Sequence, residues 1–154
     1  VVTIMYVLDG SIKTMNSAWS GPPGQLVKAI GSCFDPKTII TLNDGTQYEM
    51  ENIPLGSILK DGGKVFAVLK IDNVKQEPLY KIKGTNQTIF VTGEHFIKDK
   101  LTNEWTQVKH YNKAIIQPDI ILDYFSCLIT TTGRISIDNE LFWDWEDDIL
   151  TRNR

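Results

Sequence analysis

Turn signals recur along this chain at intervals too short for ordinary helices. Asn43-Asp44-Gly45-Thr46, Leu55-Gly56-Ser57, Asp61-Gly62-Gly63 and Gly84-Thr85-Asn86-Gln87 punctuate its middle, and Gly, Asn and Asp supply the positive φ that tight reversals demand. The pieces between them are β in character. Thr38-Ile39-Ile40-Thr41-Leu42 is rich in β-branched residues, and Gln47-Tyr48-Glu49-Met50 returns beyond Asp44-Gly45, which predicts a hairpin. Ile53 to Leu59 is broken by Pro54 and Gly56, too interrupted for a helix. Val65 to Ile71 is a nearly continuous apolar run and predicts a buried strand. Leu79 to Ile82 and Thr88 to Val91 flank a second hairpin turn, while Trp105 to Val108, Ile115-Ile116, Leu128 to Thr131 and Ile135 to Ile137 continue in the same style. No run of apolar residues at a 3.6 period and no long internal repeat is visible. The expectation is an all-β domain of many short strands and hairpins.

With 154 residues the chain suits one domain plus flanking segments. Residues 1–32 form a separate compositional zone: a strand at Val1 to Leu8, a turn at Asp9-Gly10-Ser11, and a linker at Gly21-Pro22-Pro23-Gly24 that excludes helix and sheet. Gln25 to Ile30 suits either a turn of helix or an extended arm leading to Gly31-Ser32. The expected division is a flanking arm at 1–32, the domain at 33–150 and a tail at 151–154. An opening of Val1-Val2-Thr3, with neither an initiator methionine nor a basic leader, reads as a piece of a longer chain.

A formal net charge of -3 gives no basic footprint for nucleic acid, and no apolar run is long enough for a membrane span. Asp138, Glu140, Asp144, Glu146, Asp147 and Asp148 crowd one stretch that reads as a solvated surface rather than a metal site, and Trp143 and Trp145 as a strand end packed on the core. Two cysteines, Cys33 and Cys127, are too few for a disulfide framework, which favours a reducing, cytoplasmic compartment. Cys127 reads first as structural, with a disulfide to Cys33 or a zinc ion shared with Cys33 and His95 as alternatives. Neither Cys-x-x-Cys nor His-x₃-His spacing occurs, so no metal and no cofactor is expected.

Chemistry concentrates at Gly31-Ser32-Cys33-Phe34-Asp35 and at Thr92-Gly93-Glu94-His95. A thiolate at Cys33 attacking the carbonyl of Ser32 would exchange the peptide bond for a thioester and release the amine of Cys33. Two obstacles oppose this: a thiol of ordinary pKa is mostly protonated, and a resonance-stabilised amide is a poor acyl donor whose nitrogen leaves badly without a proton. An imidazole such as His95 could protonate that nitrogen, and Thr92 could hold the amide or the developing oxyanion. Taken singly, a buried cysteine or a strand histidine is more often a core residue. His110, beside Lys109 and Tyr111, reads as a surface residue.

Cys33-Phe34 after Gly-Ser, Thr38 to Leu42 with Asp44-Gly45, the Met50 to Leu59 segment carrying Ile53, Gly56 and Ile58, and Val91-Thr92-Gly93-Glu94-His95-Phe96-Ile97 together resemble the Hint domain. This is the autoprocessing fold of hedgehog C-terminal domains, inteins and bacterial intein-like domains. The resemblance covers roughly residues 31–110 in the family's order and spacing. It implies a compact Hint fold, Cys33 as nucleophile of an N-to-S acyl shift, Thr92 and His95 as the pair that activates the amide, and Ser32-Cys33 as the bond cleaved. Leu69-Lys70-Ile71-Asp72-Asn73 is similar to a hedgehog segment whose aspartate assists proton transfer, which implies that role for Asp72. The substrate would be the chain's own flanking polypeptide, in a single-turnover reaction in cis.

The chain departs from the splicing pattern, which needs a penultimate histidine and a terminal asparagine. Here Asn139 lies between Asp138 and Glu140, and Asn153 between two arginines. Splicing is not expected, nor is sterol transfer, since no sterol-recognition region follows; hydrolysis of the thioester or its capture by another nucleophile remains. Tyr124 to Thr130 through Phe142 to Asp147 resembles the C-terminal part of Hint-type modules in structural proteins of marine phages and viruses. That implies a place in a larger, virion-associated assembly. There the competing expectation is a catalytically quiet structural module, and a third is a redox switch through Cys33 and Cys127.

Overall fold

The computed structural model describes residues 2–8, 11–17 and 33–145. The turn at Asp9-Gly10, the linker at 21–24, the segment at 25–30, Ser32, Glu146 to Asp148 and the tail at 151–154 lie outside the described residues. In chain order the strands are β1 (Val2–Leu8), β2 (Ser11–Ser17), β3 (Ile39–Thr41), β4 (Gln47–Glu49), β5 (Val65–Asp72), β6 (Leu79–Lys83) and β7 (Thr88–Thr92). They continue with β8 (Phe96–Asp99), β9 (Glu104–Gln107), β10 (Ala114–Gln117), β11 (Tyr124–Thr130), β12 (Arg134–Ile137) and β13 (Glu140–Trp143). Single 3₁₀ turns stand at Met50–Asn52 and Val108–His110. The all-β expectation is met, and among the described residues no helix is long and apolar enough to cross a membrane.

The strands pair as β11-β5-β1-β2, β10-β6-β7, β12-β13-β8-β9 and β3-β4. The first two groups meet at one short segment. Phe34 bridges Val91 of β7 on one side and Ser126 of β11 on the other, antiparallel to both. The stretch around Cys33 is thus an inner strand of a sheet running from β10 to β2, with backbone partners on both edges. Such a strand is hydrogen-bonded along both sides and shielded from water.

Local sequence explains the hairpins. Gly45 sits at φ 88 in the β3-β4 turn, where a side chain would be strained. The β12-β13 turn is made by Asp138 at φ 47 and Asn139 at φ 68, the two residue types that best tolerate this region after glycine. β5 buries Val65, Ala67, Val68, Leu69 and Ile71, as its apolar run predicts. A large core gathers Phe34, Ile40, Met50, Leu59, Val91, Ile97 and Phe142, and a smaller one holds Cys33 with Leu69, Ile71, Leu79 and Phe125. Trp143 stacks on Phe96 with ring centroids 3.9 Å apart, as expected of a strand end on the core.

Two expectations need correction. The acidic stretch is not a uniformly solvated surface: Glu140 and Asp144 are buried. Asp144 Oδ2 accepts the Thr130 N–H at 2.9 Å, and Glu140 Oε1 pairs with Lys100 at 3.5 Å while its Oε2 is buried without a hydrogen bond. The N-terminal zone also carries a second strand, β2, whose Ser-Ile-Lys-Thr-Met-Asn-Ser sequence has little β propensity and is drawn into the sheet by its pairing with β1.

Candidate active site

The site is built where the Cys33 segment meets the end of β7. Phe34 N–H donates to Ser126 O at 2.8 Å and its carbonyl accepts from Ser126 N–H at 2.9 Å, while Asp35 N–H donates to Phe90 O at 3.0 Å. These bonds fix the register and set Cys33 against Thr92. Cys33 N–H donates to Thr92 Oγ1 at 3.0 Å, and the Cys33 carbonyl accepts from Thr92 N–H at 2.9 Å and from the Thr92 hydroxyl at 3.2 Å. Both polar atoms of the Cys33 backbone are therefore held by one residue, 59 positions away. Cys33 and Thr92 are both fully buried.

After Thr92 the chain turns through Gly93-Glu94 to His95, whose N–H donates to Thr92 O at 3.2 Å. Glycine is required at position 93 by a close approach: a Cβ there would lie 2.6 Å from Cε1 of Tyr80. The turn is fastened from outside by Glu94, which pairs with Lys109 Nζ at 2.7 Å and accepts from Gln107 Nε2 at 2.8 Å. Lys109 N–H donates to Gly93 O at 3.0 Å and Val108 N–H to His95 O at 2.8 Å, so the histidine backbone has little freedom.

The imidazole is buried against Phe34, the residue after Cys33, with ring centroids 4.5 Å apart, and meets Phe142 edge-on at 5.7 Å. Its Nε2 lies 2.6 Å from the carbonyl oxygen of Trp143, which can only accept, so Nε2 carries the proton. That leaves Nδ1 as a bare lone pair, and it is a buried atom without a hydrogen-bond partner. Desolvation drives the pKa from 6.5 down to about 4, and the Trp143 carbonyl opposes part of that shift by stabilising the charged form. At neutral pH the ring is thus an uncharged base held in one tautomer.

The other expected residues are placed as follows. Ser32 lies outside the described residues. Cys127 is buried on β11. Asp72 ends β5 opposite Tyr124, with β11 between it and the Cys33 segment. Strand spacing and rise put their backbones on the order of 14 Å apart, so the sheet does not set Asp72 beside Cys33. His110 is exposed, as expected of a surface residue. Among the described residues no group of three or more His, Cys, Asp or Glu side chains is arranged to hold a metal ion. Sequence reasoning missed Trp143 as the anchor of His95, since a main-chain carbonyl has no residue-type signature.

No family model and no curated protein matches the chain. Solved structures do. A triply substituted variant of the gp41-1 intein matches with a TM-score of 0.50 and 19% identity, over 74% of this chain and 100% of the intein. A second gp41-1 intein structure matches at 18% identity, over 73% of this chain and 98% of the intein, with a TM-score of 0.47. In its fold the chain is an intein-like Hint domain.

Proposed function

We propose that this intein-like domain cleaves its own chain between Ser32 and Cys33 through an N-to-S acyl shift. What supports this is the pair of bonds between Thr92 and the Cys33 backbone, because the Cys33 nitrogen is the leaving atom of that reaction. In the step, Sγ of Cys33 bonds to the Ser32 carbonyl carbon, the carbon–nitrogen bond breaks, and one proton passes from sulfur to nitrogen. The products are a thioester at Ser32 and a free amine on Cys33. Water, or an external thiol or amine, then takes the acyl group. Neither Asn139 nor Asn153 follows a histidine, so no step is assigned to joining the flanks.

Thr92 suits its part because a hydroxyl both accepts and donates. It accepts from the planar amide N–H at the start, and a rotation of its O–H lets it donate to the nitrogen lone pair that appears as resonance is lost. His95 carries the proton: its Nδ1 takes it from the thiol and gives it to the nitrogen, while the Nε2–H bond to Trp143 keeps the ring oriented. Asp72 is given no step. The low basicity of His95 makes the protonated intermediate costly, so the reaction is slow unless a partner or a movement raises that pKa. The same low basicity favours a second reading, a Hint fold retained as a quiet structural module within a larger assembly.

The two readings separate in one experiment. A chain tagged ahead of Val1 is incubated with and without dithiothreitol, beside its Cys33→Ala counterpart, and resolved by size. Fragments that form with Cys33, faster with thiol and not at all with alanine, support self-cleavage. Equal intact bands in every lane favour the quiet module.

A further inference from the structure

β5 is a long, largely buried strand of eight residues, and its two edges are covered by different parts of the chain. β11 covers one edge from inside the domain, with Tyr124 opposite Asp72 and Ile129 opposite Ala67. The other edge is covered by residues that precede Cys33: β1 runs antiparallel along it from Val2 opposite Ile71 to Tyr6 opposite Ala67. β1 brings its own partner, because β2 pairs with it over the whole length from Val2–Ser17 to Leu8–Ser11. The N-terminal flank thus adds a complete hairpin to the sheet by main-chain pairing.

This matters once Ser32–Cys33 is broken. The hairpin and the domain are then separate molecules, yet no pair of the β1-β5 ladder depends on the connecting residues. A released flank would leave β5 as an edge with a row of unpaired N–H and C=O groups over a strand of Val, Phe, Ala, Leu and Ile, the kind of edge that recruits foreign strands. A two-stranded hairpin alone is marginal in water, so the flank too is better ordered on the sheet. The open end of the hairpin, at Val2 and Ser17, aligns with Ile71, whose other neighbour is Phe125 next to the Ser126 bridge. The fifteen residues 18–32 span the remaining distance to Cys33 with length to spare.

We infer that the outer edge of β5 is a docking site for the hairpin of residues 2–17, which holds the N-terminal flank on the domain after cleavage. The docking is a main-chain recognition, so its partner is an extended, hairpin-forming segment rather than a particular side-chain motif. The retention of a product rests on the self-cleavage reading above; the docking itself does not.

The test therefore cuts the chain independently of its own chemistry. A recognition sequence for a specific protease is placed at Gly21-Pro22-Pro23-Gly24 in the full chain carrying Cys33→Ala, the folded protein is cut, and the products are run on a sizing column at micromolar concentration. Hydrogen exchange is followed on the amides of Val65–Asp72. The expected result is co-elution of the two fragments, with both sets of β5 amides protected as before the cut. Successive residues of β1 point their N–H groups alternately to β5 and β2, so Ile4→Pro and Met5→Pro together include one that breaks the β5 ladder. At least one of them is expected to release the fragment and to expose only the β1-facing amides of β5, while the β11-facing amides report that the domain is still folded. Separation of the fragments in the chain without proline, or co-elution that survives both prolines, overturns the docking. If docking holds while the parent chain never cleaves itself, the inference stands and the self-cleavage reading falls.

Discussion

Two polar regions of this molecule invite comparison, and the roomier is not the one proposed to react. An open hollow of about 560 Å³ is lined by Thr41, Gln47, Lys60, Asn86, Gln87 and Asp138. At the Cys33 site the side chains are buried between strands. In the hollow, Asp138 and Gln87 are spent on holding local backbone together. Asp138 accepts from Asn86 N–H at 2.8 Å, Asn86 Nδ2 at 2.9 Å and Gln87 N–H at 3.1 Å, and the Gln87 amide bonds both ways with the Ile39 backbone. At the Cys33 site the Thr92 hydroxyl meets both the N–H and the carbonyl of Cys33, and a ring nitrogen of His95 is left without a partner. A buried polar atom with no partner is costly, and Nδ1 of His95, on a ring packed against the residue after Cys33, is therefore a stronger pointer to chemistry than a roomy cleft.

The largest expected difference between the two regions is all-or-none. Cys33→Ala abolishes fragment formation while Asp138→Ala leaves its rate unchanged, as read from a time course on gels. Next comes Thr92→Val, which keeps the shape and removes the hydroxyl. Cleavage slows about 10²- to 10³-fold, the cost of losing one well-aimed donor, and thermal or urea unfolding reports a loss of about 1–3 kcal/mol from the unpaired Cys33 amide. Thr92→Ser restores most of both. If Thr92→Val cleaved at the parent rate, the contact with the leaving nitrogen would be structural only.

His95 gives a pH signature that the hollow lacks. Its pKa is lower folded than unfolded, so the unfolded chain binds the extra proton first as pH falls. The stability it supports is complete above about 6.5 and is lost progressively as pH falls towards 4, by roughly 3 kcal/mol in all. The difference in urea midpoint between pH 7 and pH 4.5 should therefore be smaller in His95→Gln than in the parent chain. Equal differences would mean that the ring is not held neutral in the fold. The smallest effect belongs to Asp138→Ala, about 1 kcal/mol of stability from exposed bonds to the 84–87 turn.

Much of the framework was legible before the fold was known, for reasons that particular residues make clear. Asp44-Gly45 announces a hairpin because few residues accept its backbone angles, and Val65 to Ile71 announces a buried strand because nothing else excuses so continuous an apolar run. The turn at Asp138-Asn139 was hidden because its residues sit in a run of acids, where charge suggests solvent more loudly than backbone preference suggests a reversal. Glu140 and Asp144 were misread for the same cause: composition counts charges but does not see Lys100 or the Thr130 N–H that compensate them. Thr92 and His95 were singled out by the chemistry a cysteine at position 33 would need and by the resemblance, but their partners, a peptide nitrogen and a main-chain carbonyl, belong to no residue type and could not be read.

The most direct test of the central claim is the mass of what the chain becomes. Incubated at neutral pH with hydroxylamine to trap a thioester, the protein should yield one N-terminal fragment ending at Ser32 as its hydroxamate and one fragment beginning with an unmodified Cys33. An intact mass throughout, or the same break in Cys33→Ala, would contradict the account.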